Sequence, residues 1–414
     1  MTRQIFCAFL IAVATAFVLI EADDKKPEKP EASWKAASAS SKITPHRPMP
    51  MSGYASRKAN PAEGTEQDLF AKALAIEDPE GNRIVFLTTD LIGIISKYRS
   101  DVEKAVGEKY NLKPGALVMN ASHTHCGPSY GRDDTLDYYE KLVEQTVALI
   151  GQALESLEPA KVFYSEGKCA FAMNRRTPTP SGYRNHPNPQ GLVDHTVPVL
   201  SVRDLDGNLK TALFGYACHN TTMGFMKWFG DYAGYAQEYL EADHEGLTAM
   251  FINGCSGDQN PYPRRMLYFA QRHGRSLATA VEAALEVSQG SFFHQKEISG
   301  TIRSDIDTVT LSFTEESKRD DYDYPIQVVR VGDALSMIAM AGEVTIDYSL
   351  RLKKELASKD APVWVSGYTN DYNGYVPSKR VLLEGGYEAS SRPWKPELEE
   401  KIIEKVHSMV KATE

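Results

Sequence analysis

"ALVMNASHTHCGP", residues 116–128, decides the fold. Its first four residues are apolar without alternation, as a strand buried on both faces requires. The run then breaks into His123-Thr124-His125 and a Gly-Pro turn signal. A buried strand that ends in imidazoles belongs to an α/β sheet, where ligands bind beyond the carboxyl ends of the strands. Side chains two apart on a strand share a face. A strand over 116–125 is therefore predicted to project His123 and His125 side by side, with Thr124 turned away.

The same pattern recurs along the chain. Strands are predicted at 83–91, 161–167, 196–204, 210–220, 247–257, 307–313, 326–332, 334–343 and 362–371, where β-branched and aromatic runs are bounded by turn residues. Segment 210–220 ends in Cys218-His219-Asn220, and 247–257 runs into Gly254-Cys255-Ser256-Gly257-Asp258. Segment 334–343 ends in Gly342-Glu343, and 362–371 in Asn370-Asp371-Tyr372. One such end could be an ordinary polar loop; five point to a shared cleft. Between the strands, Leu136, Tyr139, Val143, Val147, Ile150 and Leu154 recur at helical spacing, as do Leu267, Ala270, His273, Leu277, Val281 and Ala284. Residues 344–356 and 395–411 also read as helices. Residues 326–343 read as a hairpin about Gly332-Asp333, so the sheets are mixed. The fold class expected is α/β, with mixed β-sheets covered by helices in a single large catalytic domain.

The bulk numbers agree with that. The chain has 414 residues, 42% hydrophobic and 24% charged, an ordinary globular balance. The net charge of −9 and the lack of a basic stripe exclude nucleic acid as a main partner. At the N-terminus, Arg3 precedes the apolar run Ile5–Ile20 and then Glu21-Ala22-Asp23-Asp24. That run is shorter than the ~20 residues a spanning helix needs. Residues 1–22 are thus expected to be a cleaved signal peptide, making the protein secreted or periplasmic; a retained anchor is the alternative. Residues 23–45, rich in Lys, Glu, Pro, Ala and Ser, read as a disordered linker, and 46–414 as the catalytic domain. Cys7 lies in the signal. Cys126, Cys169, Cys218 and Cys255 permit two disulfides or remain as buried thiols.

Of ten histidines, only His123, His125 and His219 stand at strand ends beside turn residues. Three imidazoles with a carboxylate are the donor set of zinc. His273 reads as a packed core residue and His407 as part of the last helix. His46, His186, His244 and His294 read as loop or surface residues, and His195 as structural.

Taken together, the motifs resemble the neutral/alkaline (non-lysosomal) ceramidase family. "HTHCGP" (123–128) resembles that family's His-Thr-His-Ser-Gly-Pro, and "ACHNTT" (217–222) its Ala-Thr-His-Asn-Thr-Ser. "SGDQNP" (256–261) resembles Ala-Gly-Asn-Leu-Ser-Pro-Asn, and "AGEVT" (341–345) Gly-Glu-Phe-Thr. "TNDYNGYVPS" (369–378) followed by "GGYE" (385–388) resembles Asn-Thr-Tyr-x-x-Tyr and a later Tyr-Glu; "MSGYA" and "TTDLIGI" fit the N-terminal part. The resemblance implies one zinc ion held by His123, His219, Glu343 and Tyr375. It implies that His125, Tyr387 and Arg175 act in catalysis, with Arg176 the competing arginine in "MNRRTP". Asn260 and Asp258 fall in the substrate-binding stretch. Asn260 stands where the family has a serine, so no serine nucleophile is available. The chain also runs only about two dozen residues past "GGYE", leaving no room for the family's C-terminal immunoglobulin-like domain.

The reading is a secreted zinc-dependent amidohydrolase of the ceramidase type, in sphingolipid or related lipid metabolism, with metal-activated water attacking an N-acyl amide carbonyl. Its partner is a small N-acyl substrate, met in solution or at a membrane surface. The alternatives are a zinc esterase or a hydrolase of another acylated or carbohydrate-linked substrate, and a homologue that binds its ligand without turnover. Asn120 and Asn220 begin Asn-x-Ser/Thr triplets but sit against expected ligands, so neither is expected to carry a glycan.

Overall fold

The structure is a computed structural model that describes residues 33–286, 296–356 and 362–413. The expected signal segment and residues 23–32 of the expected linker lie outside the described residues, as does His294. The fold starts earlier than the sequence reading placed it. Lys35–Lys42 (β1) is a strand in the middle of the main sheet, not linker. "KAASASSK" has no large apolar side chain to betray it. Its buried alanines, Ala36 and Ala39, let neighbouring layers approach closely.

The main sheet continues with Phe70–Glu77 (β2), Arg83–Thr89 (β3) and, after the helix Ser96–Tyr110 (α1), Leu117–Ala121 (β4). The helix Leu136–Glu155 (α2) leads to Glu158–Lys168 (β5). A hairpin of Ala172–Thr179 (β6) and Gly182–Asn188 (β7) stands outside the sheet. Then come Thr196–Asp204 (β8), Leu209–Tyr216 (β9), the helix Asp231–Asp243 (α3) and Thr248–Asn253 (β10). Gln259–Pro261 (β11) pairs with β6, and the helix Leu267–Glu286 (α4) follows. The spatial order is β10-β9-β8-β5-β1-β2-β3-β4, with Lys296–Glu297 beside β5. A second sheet holds Ile302–Leu311 (β12), Tyr322–Val331 (β13), Leu335–Met340 (β14) and, after the helix Ile346–Leu356 (α5), Val363–Ser366 (β15). The short helices Lys379–Glu384 (α6) and Tyr387–Ser390 (α7) precede the last helix, Leu398–Ala412 (α8).

The two sheets pack face to face between layers of helices. Ile84 and Phe86 of β3 face Val329, Val331 and Met337 of the second sheet, while Val85 and Leu87 face α1 and α2. The period of two is intact, but both faces are buried, so the strand reads as continuously apolar. Helices α3 and α4 cover β8–β10, and α5 and α8 cover the outer face of the second sheet. The expected β13–β14 hairpin is present, with Ile326 opposite Met340. Mixed sheets covered by helices are thus the observed architecture.

Within the two large sheets, three strand pairs are parallel: β3 with β4, β9 with β10, and β14 with β15. A helix crosses over in each, as parallel neighbours require. All three units end at one place. There Asn120 Oδ1 accepts from Asn253 N (2.9 Å), and its Nδ2 donates to Gly367 O (2.8 Å) and Thr369 Oγ1 (2.9 Å). Asn120 and Asn220 are wholly buried, which leaves no place for a glycan on either.

Among the described residues, Cys126, Cys169, Cys218 and Cys255 are all buried as free thiols, so neither permitted disulfide forms. Burial pushes the Cys126 thiol up to about 12 and Cys169 up to about 11, which makes them inert. Among the described residues, no helix is long and apolar enough to cross a membrane. Replacing Asn120 by Ala leaves three buried partners on two other segments unmet. We expect Asn120→Ala to lower the unfolding free energy by roughly 3 kcal/mol, read as a lower urea midpoint at unchanged slope; an unmoved midpoint would remove Asn120 as the tie.

Candidate metal-centred active site

The strands stop short of the residues that matter. β4 was expected to reach His125, but it ends at Ala121 because its partner β3 ends at Thr89. Beyond it, His123 takes φ 62°, a left-handed conformation uncommon for a side chain other than glycine. The extended-strand geometry expected for His123 and His125 is therefore absent. Both rings still enter the cleft, 4.8 Å apart and nearly perpendicular. Strands β9, β10, β14 and β15 likewise end before their polar clusters begin. Tyr368 (φ 52°) and Asn370 (φ 65°) repeat the left-handed turn after β15. Such strain gathers where a site fixes the backbone.

His123 Nδ1 lies 2.6 Å from Ile92 O, and His219 Nδ1 lies 2.7 Å from Ser256 O. A carbonyl only accepts, so each Nδ1 carries a proton, and in the neutral ring the Nε2 lone pair is the one left to ligate. Those lone pairs converge on one carboxylate: Glu343 Oε2 is 3.4 Å from His123 Nε2 and 3.2 Å from His219 Nε2. The Tyr372 hydroxyl donates to Glu343 Oε1 at 2.7 Å. Burial would raise the Glu343 carboxyl, but His123 and His219 hold it well below the usual range. Burial, and then Arg175, push the His219 imidazole down to about 3. Imidazole nitrogens presented beside an ionised carboxylate are the donors that a metal ion takes.

The spacing fits as well. Ligand atoms around a tetrahedral ion with bonds of ~2.0–2.1 Å lie roughly 3.3–3.4 Å apart. Glu343 Oε2 meets that spacing to His123 and His219, and one ring nitrogen each of His123, His125 and His219 lies within 4.8 Å of the others.

His125 differs from its neighbours. Its Nε2 is 3.1 Å from His123 Nε2, while its buried Nδ1 has no hydrogen-bond partner among the described residues. Packing alone orients the ring. The Tyr54 ring meets it at 4.8 Å. Gly53, at φ 95°, lies so close that a Cβ there would be 2.5 Å from the imidazole. Burial, with His123 and His219 nearby, pushes its pKa well below the ordinary value.

On the other side stands Arg175, of β6. Its Nε donates to Glu388 Oε1 (2.8 Å), Nη1 to Asn260 Oδ1 (3.2 Å) and Nη2 to the Tyr375 hydroxyl (2.8 Å). Burial opposes its charge, but Tyr375 and Glu388 hold the pKa well above the ordinary value. Arg176 turns away to Glu388, Glu384 and Gly385 O, so Arg175 is the arginine at the cleft. Tyr375 is placed by parallel pairing of Glu343–Val344 with Tyr375–Val376. Tyr387, 55% exposed, stands at the rim with its ring 5.3 Å from that of Tyr375. Asn260 is brought to Arg175 by the pairing of β11 with β6.

Asp258, expected to bind substrate, does not face the cleft. Its oxygens accept from Ile346 N (2.9 Å) and Asn174 Nδ2 (3.0 Å), so it fixes the start of α5. Burial pushes its carboxyl up to about 7. His273, read as core, is buried and bonded to Pro263 O at 2.7 Å. The sequence reading missed Tyr372, Glu388 and the Asp90–Gly93 turn that supplies Ile92 O. Tyr372 and Glu388 lay inside quoted motifs, and nothing in their spacing set them apart.

The family profile "Neutral/alkaline non-lysosomal ceramidase, N-terminal" matches residues 40–262. Neutral ceramidase B of Dictyostelium discoideum is 27% identical over 223 residues, which are 47% of this chain and 31% of that protein. Neutral ceramidase 1 of Arabidopsis thaliana is 25% identical over 254 residues, 56% of this chain and 32% of that protein. The matched region is thus less than two thirds of those relatives' length. The crystal structure of neutral ceramidase from Pseudomonas aeruginosa superposes with a TM-score of 0.74 at 20% identity, covering 88% of this chain and 72% of that one; at that identity the likeness establishes the fold. With the profile spanning more than half of its residues, the chain belongs to the neutral/alkaline non-lysosomal ceramidase family.

Proposed function

We propose that this protein is a zinc-dependent amidohydrolase of the neutral ceramidase type, cleaving an N-acyl amide. The observation that carries the reading is the convergence of two lone pairs, on His123 and His219, with the ionised Glu343 carboxylate. These three would hold the ion, and Tyr375 would be the fourth donor, its oxygen held by Arg175. A zinc ion bound there supplies Lewis acidity that brings the pKa of water towards ~7.

The chain's own groups then divide the work. His123 and His219 have their tautomers locked by backbone carbonyls, as metal-ligating imidazoles generally do. His125 has no such lock, and its imidazole is neutral near pH 7. It is the group free to accept a proton and deliver it to the leaving nitrogen. Arg175, fixed by Glu388, presents positive charge where the carbonyl oxygen becomes anionic. Tyr387 stands over the same position from the rim. Hydrolysis adds one water across the C–N bond: the acyl carbon takes the hydroxyl, and the nitrogen takes the proton. No serine is needed, and Asn260 serves to bind substrate through its amide. The apolar run at Ile5–Ile20 supports export, so we place the activity outside the cytoplasm, in lipid or sphingolipid turnover.

Two outcomes test this. The purified protein is expected to carry one zinc per chain by plasma mass spectrometry, lost in His123→Ala, His219→Ala and Glu343→Ala while circular dichroism is unchanged. Metal content indifferent to all three would overturn the site. His125→Ala is expected to keep its zinc but to release fatty acid from N-acyl substrates roughly 10²–10⁴ times more slowly. A wild-type protein that binds zinc and cleaves no N-acyl compound would overturn the activity.

A further inference from the structure

Strand β11, which carries Asn260, runs on into Tyr262-Pro263-Arg264-Arg265, and this segment flanks the same cleft. Arg265 N donates to Thr222 O at 2.8 Å, and Thr221 Oγ1 donates to Asn260 Oδ1 at 3.3 Å. The segment is thereby tied to the loop that begins at His219. The Arg264 guanidinium lies over the Tyr262 ring, 5.4 Å from its centroid. The Tyr262 hydroxyl in turn is 3.5 Å from Asn260 Nδ2. Arg265 Nη1 and the Tyr54 ring both close over Gly224, where a Cβ would stand 3.1 Å from one and 3.2 Å from the other. Tyr54 is the ring packed against His125. The two arginines are thus joined to the catalytic histidine on one side and to Asn260 on the other.

Their charge is unmatched. Arg175 and Arg176 share Glu388, and Arg57 donates to backbone carbonyls. Arg264 is half-buried and Arg265 exposed. Among the described residues, neither guanidinium has an ion-pair or hydrogen-bond partner. Burial lowers the Arg264 pKa, and the nearby positive charges of Arg265 and Arg175 lower it further. An anion set between these groups would relieve that repulsion, and a guanidinium is the fork-shaped donor that carboxylate and phosphate oxygens fit. Across Arg175 the character changes. Tyr387, 55% exposed, offers apolar surface there, its ring beside that of Tyr375 and the Arg175 guanidinium.

We propose that the cleft takes an N-acyl compound whose amine half carries an acidic group, a carboxylate or a phosphate, bound by Arg264 and Arg265. The acyl chain leaves past Tyr387. A neutral sphingoid headgroup would leave both guanidiniums without a counter-charge. This assignment rests on the hydrolase reading above, and its test separates the two.

Binding is measured by calorimetry with two sulfonamides that cannot be hydrolysed, dodecylsulfonyl-glycine and dodecylsulfonyl-ethanolamine; the phosphate ester of the latter is the third arm. Turnover is measured with the matching lauroyl amides. We expect the anionic ligands to bind about tenfold tighter than the neutral one, a difference of ~1.4 kcal/mol, and the preference to shrink as salt rises. The Arg264→Ala/Arg265→Ala double variant should lose the preference, in Kd and in the ratio of kcat/KM values. Arg265→Glu, on the exposed residue alone, should reverse it and guards against a folding defect in the double variant. The two anionic arms tell carboxylate from phosphate. Equal binding of neutral and anionic ligands, or a preference that survives both variants, overturns the anion site. Cleavage of lauroyl amides without a preference overturns the anion site and leaves the hydrolase reading standing; a preference without cleavage does the reverse.

Discussion

Parallel pairing of strands is the constraint on which the rest of this structure depends. A parallel neighbour cannot be reached by a tight turn, so each of the three parallel pairs needs a crossover, and here each crossover is a helix. Those helices cover the sheets, which makes the strands apolar on both faces. They also return the chain so that every parallel strand points the same way as its partner. Polar segments that follow the strands are therefore delivered to one edge. His123, His219, Ser256, Glu343 and Tyr372 come from five such ends and meet there without any of them being close in sequence.

At that edge, buried charge takes over from hydrophobic packing. Glu343 is ionised with almost no access to water, and two imidazoles and a phenol surround it. A second charged centre lies alongside, where Glu388 is shared by Arg175 and Arg176, all three side chains at most 4% exposed. Removing one partner from such a group leaves the others buried and uncompensated, which costs far more than the group adds to stability while intact. The arrangement therefore fixes geometry: Glu388 sets where Arg175 points, and Arg175 sets where the Tyr375 oxygen and the Asn260 carbonyl lie.

Much of this was legible in the sequence. Ten strands and four helices followed from apolar runs and helical spacing, and the five polar strand ends marked the cleft. The failures have physical causes. β1 is built from alanine, serine and lysine, and a strand made of small residues has no hydrophobic signature. Its place in the middle of the sheet is set by neighbours distant in sequence, Ala71–Glu77 on one side and Glu158–Pro159 on the other. The left-handed turn at His123 is imposed by Leu91 O, which accepts from His123 N at 3.0 Å, a contact no local pattern encodes. Arg175 and Arg176 were indistinguishable as neighbours in one motif. On a strand they face opposite ways, and only the position of Glu388 between them shows which one reaches Tyr375. Asp258 lay in the right loop but served the backbone, because the first amide of α5 needed an acceptor.

The four thiols shut inside the core have a consequence for how the chain matures. Nothing in the fold waits for an oxidant, and a reducing medium has no covalent link to remove. The native state is the same chemical species on either side of a membrane. Burial governs the assembly of the described fold, and passage between compartments of different thiol chemistry leaves no bond in it to make or break.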